Sequence, residues 1–151
     1  MIPTDTTSQI VKALTTWGDD LPHVLIEGGP NDTGVAADSI VKALLKVHSK
    51  AFVHYTSKGK IAEFHRLAER AAQNTTFDSS LRTLIVAGAH ELNPDDIGAS
   101  LSTLSVVGRR AGYRLIVKTR DAKSLPDNVV GNCIVLEAES GFKIPTAFDP
   151  R

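Results

Sequence analysis

The sequence predicts an α/β fold, a parallel sheet of about five strands sandwiched between helices, and three observations carry that expectation. Leu81 to His90, LRTLIVAGAH, is a continuous apolar run of the kind a strand needs when both of its faces are covered. Further short apolar runs, HVLIE, AFVHYT, YRLIVKT and NCIVLEA, alternate with stretches of helical periodicity, and such alternation specifies parallel strands joined by right-handed crossovers. The length, 151 residues, suits a single domain with one substantial core.

Composition narrows the function classes. Seventeen Lys plus Arg balance seventeen Asp plus Glu, so no global field draws the chain to nucleic acid or to an anionic membrane. No apolar run approaches the roughly 20 residues that span a bilayer, and MIPTDTTSQ has neither the basic region nor the apolar core of a signal segment. The expectation is a soluble domain in a reducing compartment. The single Cys133, inside CIVL, cannot close an intramolecular disulfide and reads as a small buried hydrophobe.

In chain order, residues 1–20 read as an N-terminal helix, with Thr6 or Thr7 as cap and Ile10, Val11, Leu14 and Trp17 at helical spacing until Gly18. Residues 21–140 form the expected core and 141–151, with Gly141, Pro145 and Pro150, an irregular tail. Within the core, His23 to Glu27 reads as a strand running into a loop at Gly28 and Gly29. A helix from Thr33 places Ile40, Val41, Leu44, Leu45 and Val47 on one stripe. Ala51 to Thr56 is the second strand. A helix from about Lys60 to Gln73 then shows Ile61, Phe64, Leu67, Ala68 and Ala71 on one face. After the third strand, Asn93-Pro94-Asp95-Asp96 breaks the chain and caps a helix over Ile97 to Arg110, which Gly112 stops. Tyr113 to Thr119 and the Cys133 region supply the last two strands, separated by a loop carrying Asp121, Pro126 and Asp127.

Two stretches sit where chemistry belongs in such a sheet. A phosphate-binding loop, G-x-x-x-x-G-K-[ST], closes backbone N–H groups around phosphates, with a Lys on the terminal phosphates and a hydroxyl on Mg²⁺. Gly29-Pro30-Asn31-Asp32-Thr33-Gly34 follows a strand and carries both glycines in register, but Val35 and Ala36 stand in the places of the Lys and the hydroxyl. Asp32 adds a carboxylate where phosphates would lie. The second stretch is the end of the third strand, one of the strand ends where an open α/β sheet presents its ligand crevice. It ends in Ala87 and Gly88, neither of which can hold a metal ion or activate water. Glu91 lies beyond the place a base would take, and His90 with His23, His48, His54 and His65 shows no metal-ligand spacing.

Leu84-Ile85-Val86-Ala87-Gly88-Ala89-His90-Glu91-Leu92 and, more specifically, Gly108-Arg109-Arg110-Ala111-Gly112-Tyr113-Arg114-Leu115-Ile116-Val117-Lys118-Thr119-Arg120 resemble the FtsK/SpoIIIE–HerA family of P-loop ATPases. The matching family patterns are hydrophobic-D-E-A-H-E-L and GRxxGxxLxxxTQ, and Arg120 stands in place of the sensor Gln. VVGNCIVLEAES, with Asn132, is similar to a further family region that lacks its Arg here. The resemblance spans about residues 21–140. It implies a RecA-like fold in which the first strand lies beside the fourth and the third lies on the fourth's far side. It also implies a degenerate site: no catalytic residue (Val35, Ala36, Ala87, Gly88 and Arg120 are lost positions), no metal, and ATP with Mg²⁺ only where the altered loop still binds. Within the family, type VII secretion motors string several such domains together. By that resemblance the chain is a pseudo-ATPase domain on the cytoplasmic side of a membrane-anchored motor, whose partners are neighbouring motor domains or a secreted protein.

The alternative within the family is an active or weakly nucleotide-binding DNA translocase, which the neutral charge disfavours. Arg109, Arg110, Arg114, Lys118 and Arg120 form a local basic group, read as an exposed helix end and strand edge. Arg109 and Arg120 are the candidate contacts to a neighbouring domain, Arg109 as an arginine finger acting in trans. LIEGGP is also similar to reductases of riboflavin biosynthesis, with nothing downstream in support.

Overall fold

The computed structural model describes residues 23–56, 58–74, 81–89, 92 and 94–138. The helix expected over residues 1–20, the tail 141–151, His90, Glu91 and Asn93 lie outside the described residues. The elements run β1 (His23–Glu27), α1 (Pro30–Val47), β2 (Phe52–Thr56), α2 (Ile61–Gln73), β3 (Thr83–Gly88), α3 (Pro94–Val107), β4 (Tyr113–Thr119), α4 (Asp127–Gly131) and β5 (Cys133–Glu137). Short 3₁₀ turns at Lys58–Lys60, Gly108–Ala111 and Ala122–Ser124 join them.

All strand pairs are parallel, in the order β2-β3-β4-β1-β5. β1 therefore lies beside β4, with Val24 opposite Ile116, and β3 flanks β4 on its other side, with Ile85 opposite Leu115. This is the order that the resemblance implies. Because side chains alternate along a strand, each strand feeds two cores. Val24, Ile26, Leu84, Val86, Ile116 and Leu136 face α1, whose Ala36, Ala37, Ile40, Val41 and Leu44 cover them. Leu25, Ile85, Leu115 and Val117 face the opposite layer, made by Phe64 of α2, Leu101 and Leu104 of α3 and Val129 of α4. Central strands buried on both faces need runs without polar alternation, which accounts for HVLI, LIVA and LIV.

Several boundaries differ from the sequence expectation. α1 begins at Pro30, not Thr33, because proline at a first helical position loses no hydrogen bond and carries the helical φ already. Its stripe ends before Val47, which is exposed. α3 begins at Pro94 for the same reason, so Asp95 and Asp96 sit in its first turn. The helix gives way to a 3₁₀ turn at Gly108 and stops at Gly112, whose φ of 81° is the left-handed conformation that glycine adopts without strain. A five-residue helix, α4, and a 3₁₀ turn occupy the region read as a loop. Cys133 is half-buried, and burial pushes its thiol up to about 12. No helix among the described residues is long and apolar enough to cross a membrane.

Candidate functional site

Open parallel sheets present their ligand crevice at the carboxyl ends of the strands. Here the main chain ties those ends together: the Gly28 N–H donates to the Thr119 carbonyl (2.9 Å), that of Ala89 to Lys118 (2.7 Å) and that of Ala138 to Glu27 (2.9 Å).

Gly29 to Gly34 is not a loop. Gly29 is the N-cap, in extended conformation, and Thr33 N–H already donates to the Gly29 carbonyl (2.9 Å) as the first helical bond. The Thr33 hydroxyl turns inward to the same carbonyl at 2.9 Å. Proline has no N–H, so Asn31 and Asp32 are the only residues of this first turn whose N–H groups precede the helical ladder. Asp32, exposed in the first turn, sets its own carboxylate against the positive end of the helix dipole. Val35 is 56% exposed, whereas Ala36 is fully buried against the sheet, so the two positions where the phosphate-loop pattern has Lys and a hydroxyl face different surroundings.

Ala87 and Gly88, at the end of β3, diverge in the same way. The Ala87 methyl is buried in the cluster facing α2 and α3, while Gly88 lies on the α1 side. A Cβ placed on Gly88 would meet Lys118 Cε at 3.7 Å and Nζ at 4.0 Å. The lysine of the central strand thus lies over the position that a carboxylate would occupy, a neighbour that only strand register reveals, since the two residues are paired across β3 and β4.

Arg120, exposed, lines a cavity of about 200 Å³ with Glu27, Gly28 and Glu137. Glu27 and Glu137 are register partners on neighbouring strands, and Glu27 Oε2 accepts the Ala122 N–H at 2.6 Å. The Thr119 hydroxyl bonds both the N–H and the carbonyl of Asp121, fixing the chain as it leaves β4.

The basic group of the sequence is therefore dispersed rather than gathered on an exposed edge. β4 is a central strand, and Arg114 is buried to 1% exposure, donating to the Arg109 and Tyr113 carbonyls. Arg109 precedes β4 and Arg120 follows it, so the two stand at opposite ends of the sheet and cannot serve one crevice. Arg109 is half-buried, with its Nε unpartnered. Beside it His23, fully buried, accepts the Leu115 N–H on Nδ1 (3.0 Å). Burial lowers His23 to about 3, with Arg114 and Arg109 adding to the shift. No motif in the sequence marks this group, since a histidine opening a strand has no signature of its burial. Among the described residues no cluster of His, Cys, Asp and Glu could hold a metal ion.

No protein-family profile matches the chain, and no curated protein sequence does. Solved structures do share its fold. The pCW3 conjugation coupling protein TcpA, solved as a monomer with ATPgS, superposes with a TM-score of 0.61 at 15% identity, over 79% of this chain and 49% of that one. ATPases 2 and 3 of EccC from Thermomonospora curvata, in complex with a signal sequence peptide, give a TM-score of 0.53 at 12% identity, over 84% of this chain and 32% of that one. RuvB T158V of Thermotoga maritima gives 0.60 at 14%, over 91% and 45%. The chain spans less than half the length of these structures. Its fold is thus that of RecA-like P-loop ATPase domains, FtsK/SpoIIIE-type domains among them.

Proposed function

We propose that this chain is a degenerate ATPase-fold domain without hydrolytic activity, acting as a protein-binding or regulatory module of a secretion or translocation motor. The observation that carries the reading is the start of α1 at Pro30: the helix consumes backbone N–H groups from Thr33 onward that a phosphate loop would aim at its ligand. Val35, Ala36, Ala87 and Gly88 supply no clamp, metal ligand or base in its place, and Asp32 sets a carboxylate where phosphates would lie. Each such group carries orders of magnitude in rate, so their joint replacement removes the chemistry rather than tuning it.

What remains at the strand ends is a surface for contacts. Arg120, exposed beside Glu27 and Glu137, is the cation offered there to a neighbouring motor domain, and Arg109 serves a separate surface at the other end of β4. Such a module works beside a membrane-anchored motor on its cytoplasmic side. The neighbours in which the fold is seen, a coupling protein and the EccC ATPases, support this setting.

A second reading, weak nucleotide binding in an active translocase, draws on Lys118, whose ammonium lies at Gly88 on the α1 side. Thermal unfolding with ATP and Mg²⁺ separates the two. A nucleotide at a hundred times its dissociation constant stabilises a protein by about 2.7 kcal/mol. No shift and no phosphate release are expected, and a shift that Lys118→Ala abolishes would establish the second reading instead. With the cognate motor added, Arg120→Ala should lower its ATPase rate or assembly; no change for either Arg120→Ala or Arg109→Ala removes the contact role.

A further inference from the structure

Away from the crevice, β2 forms one edge of the sheet and pairs only with β3 among the described residues. The Phe52 N–H donates to the Arg82 carbonyl (2.8 Å), so Phe52, His54 and Thr56 turn their main-chain groups toward β3. Main-chain direction alternates in a parallel ladder, and Val53 and Tyr55 consequently turn theirs outward. Residues 52–56 contain no proline or lysine and keep an unbroken register with β3, and they expose Phe52 to 77% and Tyr55 to 49%. Edges of this kind are templates for another strand.

The edge borders a groove of about 350 Å³ between β2 and α2, lined by Phe52, His54, Glu63, Arg66, Leu67 and Arg70. Glu63, its one carboxylate, lies 3.8 Å from His54 Nδ1. Arg66 and Arg70 are exposed, stand one helical turn apart, and have no ion-pair partner among the described residues. Like charges at that spacing destabilise a helix slightly, a cost that an incoming anion would reverse. His54 Nε2 is buried and unpartnered beside them.

We propose that this edge docks an extended acidic segment of another protein, added as a sixth strand whose main chain pairs with Val53 and Tyr55. Alternate side chains of the added strand present carboxylates to Arg66 and Arg70 and apolar groups to the Tyr55 side. A second copy of this chain is the poorer occupant: a two-fold β2–β2 pairing would bring both copies' Arg66 and Arg70 onto one face and, in the register that pairs Val53 with Tyr55, would set His54 against His54. The surface is separate from the strand-end crevice, so its test is independent of whether nucleotide binds there.

The test uses the full chain and a fluorescent, end-blocked peptide alternating Glu and Val, with a Lys and Val peptide as counterpart. Saturable binding of the acidic peptide, at least about tenfold tighter than the basic one and weakened by salt, is expected. Arg66→Glu with Arg70→Glu should invert that preference. Tyr55→Pro, which removes an outward N–H and no bond to β3, should abolish binding while circular dichroism shows the protein folded. Should Tyr55→Pro unfold the chain, the charge-reversal pair still decides. Absence of saturable binding at about 1 mM, equal affinity for both peptides, or a concentration-dependent dimer lost in Tyr55→Pro would each overturn the proposal.

Discussion

His23 shows how one side chain couples sequence, burial and pH. It opens β1, is 1% exposed, and accepts the Leu115 N–H, so the ring must stay neutral in the folded state. Its folded value of about 3 lies below the ordinary 6.5, held there first by burial and then by Arg114 and Arg109. The unfolded chain therefore binds the proton more readily. Stability from this group is complete above pH 6.5 and is lost as pH falls toward 3. At pH 5 the loss attributable to His23 is about 2 kcal/mol relative to pH 8. His23→Asn keeps an acceptor for Leu115 without a titrating ring. Denaturant unfolding at pH 8 and pH 5 should show a smaller pH-dependent loss for the variant than for the parent chain; equal losses would mean that His23 is protonated in the folded state. His54, lowered chiefly by burial, contributes with the same sign in both proteins and cancels from the difference.

At the scale of the element, α1 decides what the strand-end crevice can do. Its first turn is closed by the Thr33 N–H and hydroxyl on the Gly29 carbonyl, and Asp32 meets the dipole there. Restoring residue types alone should therefore fail. In the double variant Val35→Lys with Ala36→Ser, the lysine leaves from an exposed position and costs little, within about 0.5 kcal/mol. The serine enters a fully buried site facing the sheet and costs about 1–3 kcal/mol through its unpaired hydroxyl. No ATP-dependent rise in melting temperature is expected for this variant. A rise of several degrees would mean that the helix start unwinds to form a loop and that these two side chains alone decide whether nucleotide binds. β4 makes a related point. Its alternation sends Arg114 and Lys118 to the α1 side, one buried at the start of the strand and one half-exposed at its end, so cations close in sequence serve different places.

For the molecule as a whole, the sheet order separates what was legible from what was not. The strands were readable because a strand buried on both faces requires an uninterrupted apolar run, and HVLI, LIVA and LIV are too short for helices and are bounded by turn residues. The helices were readable from periodicity, except α4, whose five residues are too few to show a period. The central order β3-β4-β1 came from a resemblance carried by GRRAGYRLIVKT, since periodicity does not say which strand lies beside which, and only the structure placed β2 and β5 at the two edges. By itself, then, the sequence determined the alternation of strand and helix, the two apolar faces of each central strand, and the absence of Lys, hydroxyl and carboxylates at the expected catalytic positions. Only the tertiary structure decided the rest. It extended α1 back to Pro30, laid Lys118 over Gly88, buried Arg114 between Arg109 and Arg120, and left Phe52 exposed beside Arg66 and Arg70 with Tyr55 exposed on the same edge strand. The physical reason is that residue types specify what a position can do, whereas neighbours across strands are set by register and packing between segments far apart in the chain.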